Sequence, residues 1–142
     1  MTCDDPRTQR VVNFFETLAP QTLHQLPTVY ADDVYFKDPF NAIQGQAPLI
    51  EIFQHMFDGV QHPRFVVIEA ICQGDQAFLV WDFHFERQGL PSPMAIHGST
   101  HIRFAADGRV NRHRDYWDAA EELYFKLPVI GAVFRWLQRY VG

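Results

Sequence analysis

The sequence predicts an α+β domain in which N-terminal helices pack on one face of a curved, mostly antiparallel sheet. Three observations predict it. In the first third of the chain apolar residues recur at helical spacing, with Val11, Phe14, Phe15 and Leu18 as the clearest run. From Pro63 the period changes to alternation, and turn residues then punctuate four extended runs. At 142 residues and 47% hydrophobic content the chain can bury one core of its own, so residues 1–142 read as a single domain with 119–142 as a helical extension.

Asp5 followed by Pro6 is a helix start signal, and Pro20 ends the pattern that Val11 opens. Thr22 to Val29 reads as a second, shorter helical piece carrying Leu23 and Leu26. Tyr30 to Phe36 is a short strand, and Asp38-Pro39 is a turn, because the residue before proline is pushed out of helical geometry. After Gly45, Leu49, Ile52, Phe53 and Met56 give the apolar stripe of a third helix. The strands expected next are Arg64 to Cys72, Ala77 to Arg87, Met94 to Phe104 and Arg109 to Trp117, joined as a meander. The tail beyond Ala119 reads as two helices split by Pro128.

Composition narrows the function. A net charge of −5 argues against a nucleic-acid partner, which needs a clustered basic surface. The acidic start MTCDDPRTQR has no apolar run like that of a signal peptide, so the expected location is cytoplasmic, with Cys3 and Cys72 as free thiols. No spacing suits a metal site, and no cofactor is implied. The tail is expected to cover the open end of the domain or a second subunit, or to make a weak membrane or partner contact through Trp136, Tyr140, Arg135 and Arg139.

If Ala105 to Gly108 forms the last hairpin loop, Thr100 faces His113, Gly98 faces Asp115 and Ile96 faces Trp117, and Gly98 leaves empty space beside Asp115. One sheet face then carries an imidazole and a carboxylate. The other carries Asp82, His84 and Glu86 against His97, His101 and arginines, read as a ladder of paired charges.

Two stretches resemble a known family. YADDVYFKDPFNAIQGQAPLIEIF resembles the segment by which ketosteroid isomerases and other members of the nuclear-transport-factor-two-like superfamily enter their cone-shaped α+β fold, and IRFAADGRVNRHRDYW resembles their closing hairpin. The likeness spans roughly Arg7 to Trp117. It implies an apolar pocket in a homodimeric cone, with Asp38 at the position of the proton-transferring carboxylate and Trp117 at that of a pocket tryptophan. Phe14 and Thr100 stand where the steroid isomerases keep a tyrosine and a protonated acid, so steroid isomerisation itself is not implied. His113 and Asp115 look more like the proton-handling residues of SnoaL-like polyketide cyclases.

The candidate catalytic residues are therefore Asp38, His113 and Asp115, and the candidate substrate-binding residues are Phe14, Tyr30, Phe53, Trp81, Phe83, Thr100 and Trp117. Each has a plainer alternative. Asp38 could cap the turn before Asn41, Asp115 could hold the sheet through His113 or an arginine, and Tyr30 and the Trp81, Phe83, Phe85 stripe could be core. The function expected is cofactor-independent proton transfer, isomerase- or cyclase-like, on a small hydrophobic carbonyl compound. The alternative is a non-catalytic module that binds a lipid-like ligand.

Overall fold

The computed structural model describes residues 3–91, 93–122 and 128–141. Helix α1 (Pro6–Glu16) begins where Asp5 accepts a hydrogen bond from the Arg7 backbone N–H at 2.9 Å. It buries Val11, Val12, Phe14 and Phe15. A 3₁₀ turn (Leu23–Gln25) and a short α2 (Leu26–Val29) lead into β1 (Tyr30–Lys37) and β2 (Ala42–Gln44). Helix α3 (Gln46–Gly59) follows Gly45, whose φ of 101° is open to glycine at little cost. Then come β3 (Gln61–Gln73), β4 (Gln76–Glu86), β5 (Met94–Phe104), β6 (Val110–Tyr116), α4 (Ala119–Glu122) and α5 (Pro128–Val141).

The expected meander accounts for β3 to β6, but the sheet has six strands in the order β2-β1-β6-β5-β4-β3. Strand β1 lies parallel to β6 and β2 closes that edge as an antiparallel partner of β1. This pairing brings the two family-like stretches of the sequence side by side, with Phe36 opposite His113. At the far edge β3 starts at Gln61, upstream of the expected Arg64, because an edge strand tolerates the missing N–H of Pro63. Register shifts in the β3–β4 and β5–β6 pairs mark bulges, which bend and twist a sheet locally.

The last hairpin differs from its expected register by two residues. Thr100 is opposite Asp115 and Ile102 opposite His113, since the loop closes on an Ala105 N–H to Arg109 C=O bond of 2.7 Å. Because side chains alternate with period two, a two-residue shift keeps every residue on its expected face. Gly98, Thr100 and His113 point into the core, and Asp115 lies half-buried beside them. Gly98 is not what leaves space beside Asp115: it does not face that residue, and a Cβ there would lie 2.6 Å from the Trp81 ring.

The thiol expectation is also overturned. Cys3 and Cys72 form a disulfide, with Cα atoms 5.4 Å apart. Arg7 reinforces the same corner, donating to Asp75 at 2.8 Å and to the Gly74 carbonyl at 3.1 Å in the β3–β4 turn. Sixty-nine positions separate the two cysteines, so only the docking of α1 on the sheet brings them together. On the sheet's outer face Asp82 pairs with His97 at 2.6 Å, and His62 with Glu86 at 2.8 Å. No helix among the described residues is long and apolar enough to cross a membrane.

Candidate functional site

The inner face carries a hydrogen-bonded chain that crosses four strands. The Trp81 indole N–H donates to the Thr100 hydroxyl at 2.8 Å, and that hydroxyl donates to Asp115 Oδ1 at 2.6 Å. His113 Nε2 lies 2.6 Å from the same Oδ1, and His113 Nδ1 lies 3.0 Å from the Tyr30 hydroxyl. An indole nitrogen can only donate, so it fixes the direction of the first two bonds and aims the Thr100 proton at the carboxylate.

The other end is set by Tyr30. Burial, and then the nearby Asp115 carboxylate, push its phenol well above the usual range, so the hydroxyl keeps its proton. A phenol that donates to Nδ1 makes Nε2 the ring nitrogen that carries a proton toward Asp115. His113 is 2% exposed and is wedged among aromatic rings, with Phe36 at 4.7 Å and Phe15 at 5.7 Å between centroids. Asp115 Oδ1 thus receives two short charge-assisted bonds. Its Oδ2 has no hydrogen-bond partner among the described residues.

Asp115 borders three spaces. The main cavity, about 580 Å³, opens between α3 and the sheet, with Phe36, Ile52, Phe53, Met56 and Phe65 as apolar wall and Asp38, Asn41, Glu51, His55 and Asp115 as polar groups. A void of about 20 Å³ lies deeper, against Phe15 and His113. On the other side an open cleft of about 480 Å³ runs along Lys37 to Pro39 and Arg114 to Asp118.

Asp38 lies half-buried at the rim shared by the cavity and the cleft. Its Oδ1 accepts from the backbone N–H groups of Phe40 at 2.8 Å and Asn41 at 2.6 Å, and the Asn41 side-chain amide approaches both oxygens, at 3.1 and 3.2 Å. Both oxygens are engaged in the turn that carries β1 into β2.

The structure separates the candidate binding residues into two groups. Phe53 lines the main cavity and Trp117 lines the outer cleft, edge-on to Phe40 at 5.5 Å. Phe14, Tyr30, Trp81, Phe83 and Thr100 stand one layer behind: Phe14 packs edge-on to Tyr30 and Phe53, and Phe83 stacks on Phe65 at 4.5 Å. Phe36, Asn41, Glu51, His55 and Phe65 line the cavity but escaped the sequence reading. Glu51 and His55 carried a usable signal, since their four-residue spacing sets both on one side of α3, beside the Ile52 and Met56 stripe. Phe65 carried none, because its face depends on the register of an edge strand.

A family model described as a SnoaL-like domain matches residues 11–113. The chain belongs to the SnoaL-like domain family. Solved structures place this SnoaL-like domain in the nuclear-transport-factor-two-like fold. A Catenulispora acidiphila protein of ketosteroid isomerase-like fold, solved with trimethylamine, has 15% identity and a TM-score of 0.73 over 87% of this chain and 94% of its own. A Shewanella putrefaciens protein described as a SnoaL-like polyketide cyclase has 20% identity and a TM-score of 0.72 over 86% and 96%. An LEH-like epoxide hydrolase from M. tuberculosis has 14% identity and a TM-score of 0.67 over 93% and 89%. No curated protein matches the chain. At these identities the likeness carries the fold. The family match includes Asp38 and ends at His113, so Asp115 and Trp117 of this SnoaL-like domain lie just past it.

Proposed function

We propose that this SnoaL-like domain is a cofactor-independent proton-transfer enzyme, isomerase- or cyclase-like, acting on a small hydrophobic carbonyl compound, with Asp115 as its general base. The observation that carries the reading is the asymmetry of the Asp115 carboxylate. Oδ1 is held by Thr100 and His113 at 2.6 Å each, while Oδ2 is unpartnered among the described residues of a side chain bordering an aromatic-walled cavity of about 580 Å³. A base so fixed loses little orientational freedom when a substrate C–H is brought to it.

In this mechanism Oδ2 takes a proton from the carbon beside the substrate carbonyl, and the Asp115 carboxyl returns it at the same or a neighbouring carbon. Thr100 and His113 are positioning residues, and Trp81 and Tyr30 orient them in turn. Asp38 shapes the rim by fixing the β1–β2 turn, a different role from the base that its sequence context implies. His55 supplies a ring N–H on the lining for a carbonyl oxygen, while the Asn41 amide is given to Asp38. Phe36, Phe53 and Phe65 supply the apolar walls. The polyketide cyclase and epoxide hydrolase descriptions of the two neighbours support small-molecule chemistry in this fold.

The test is deuterium exchange at the α-carbon of enolisable ketones and esters in D₂O, followed by NMR, with ligand binding measured in parallel. Asp115→Asn keeps an acceptor for Thr100, so it should bind ligand as before and lose about 10² to 10⁴ in exchange rate. Asp38→Asn should retain most of the rate. Exchange that persists in Asp115→Asn removes the assigned base. Tight binding by the unmodified protein with no exchange in any bound compound makes the cone a binding module.

A further inference from the structure

The geometry points to α5 as a device for docking this protein on an anionic membrane surface. The SnoaL-like match ends at residue 113, so α5 lies outside the matched residues. Nothing else in the described structure packs extensively against it. Val133, Trp136, Leu137 and Tyr140 follow each other at three- and four-residue spacing and so share one side of the helix. They are 53%, 52%, 41% and 80% exposed. A continuous apolar stripe left in water marks a surface meant to be covered.

Charge identifies the cover. Residues 128–141 contain Arg135 and Arg139 and no acidic residue, so a chain of net charge −5 carries a helix of net charge +2. The arginines sit four residues apart, on the side away from the stripe, where long side chains can reach up to headgroups as the apolar side sinks in. Trp136 and Tyr140, with ring centroids 5.3 Å apart, bring the amphipathic rings that favour a membrane–water boundary. A second copy fits less well. Two such helices packed stripe to stripe would hold the arginines on their outer sides, so the charge of the helix would add nothing to that interface. Fourteen residues span about 21 Å as a helix, too short to cross the bilayer core, so the helix lies in the surface.

The experiment is co-sedimentation of the full chain with vesicles of phosphatidylcholine alone and with about one third phosphatidylglycerol, at low and high salt. Binding is expected to the anionic vesicles and to weaken with salt. Each arginine near such a surface is worth about fivefold in affinity, so Arg135→Gln with Arg139→Gln should lose about thirtyfold. Trp136→Ala with Leu137→Ala should lose most of the remaining binding. Circular dichroism of each variant confirms the fold, which substitutions at exposed positions should leave intact. Equal binding to neutral and anionic vesicles would overturn the proposal, as would no binding to either. A concentration-dependent dimer that dissolves in Trp136→Ala with Leu137→Ala, without vesicle binding, would assign the stripe to a second copy instead.

Discussion

Thr100→Val tests the hydrogen-bonded chain directly and needs no substrate. Valine matches threonine in shape, so no cavity opens, but two bonds are lost at a residue that is 0% exposed. The Trp81 N–H, on a side chain 3% exposed, is left without an acceptor, which costs about 2 kcal/mol. Asp115 loses a charge-assisted bond of 2.6 Å worth about 1.5 to 3 kcal/mol. Its 18% exposed side chain borders the cavity and can recruit water, which favours the lower figure. The sum is about 3 to 4 kcal/mol, or roughly 10 °C in melting temperature for a domain of this size. Urea unfolding followed by circular dichroism would show a lower midpoint with an unchanged slope. In a Trp81→Phe background the orphaned N–H is absent, so Thr100→Val should cost about 2 kcal/mol less. A single-variant cost below about 1 kcal/mol, or additivity in the double variant, would refute the chain as the frame that holds Asp115.

Gly98→Ala should destabilise by about 1 to 3 kcal/mol, because the new methyl would press on the Trp81 ring from 2.6 Å and push the indole off Thr100; thermal melting checks it. Cys3→Ser opens a loop with a sequence separation of 69, which chain entropy values at about 4 kcal/mol, and the Arg7 contacts at the same corner will reduce the measured loss. A reductant should lower the melting temperature of the unmodified protein and leave Cys3→Ser unchanged. Tyr30 has a raised folded-state pKa, so its contribution is fully present below the unfolded value of about 10 and is lost as pH rises through the folded value. Stability should therefore fall on the alkaline side of pH 10, and Tyr30→Phe, though less stable at neutral pH for want of the His113 partner, should show a flatter alkaline limb in urea titrations.

Local signals decided much of the architecture. Asp5-Pro6, Gly45 and the turn residues around Gly74 and Gly108 act over a few bonds, so their effect reads directly from adjacent letters. Alternation fixed the faces of β4 to β6, and a two-residue error in register left His113 and Asp115 on the inner side because the period is two. The tertiary structure decided what depends on distant partners. Strand β2 is three residues long and takes its place from β1, and the Cys3–Cys72 bridge exists only because α1 docks on the sheet. The site shows the same division. The sequence selected Asp38, His113 and Asp115 as residue types, but which carboxylate keeps a free oxygen beside the cavity was settled by a turn of four residues and by a parallel pairing of strands eighty positions apart. Hydrogen-bond partners are chosen by three-dimensional proximity, and one-dimensional spacing carries that information only within an element or across a tight turn.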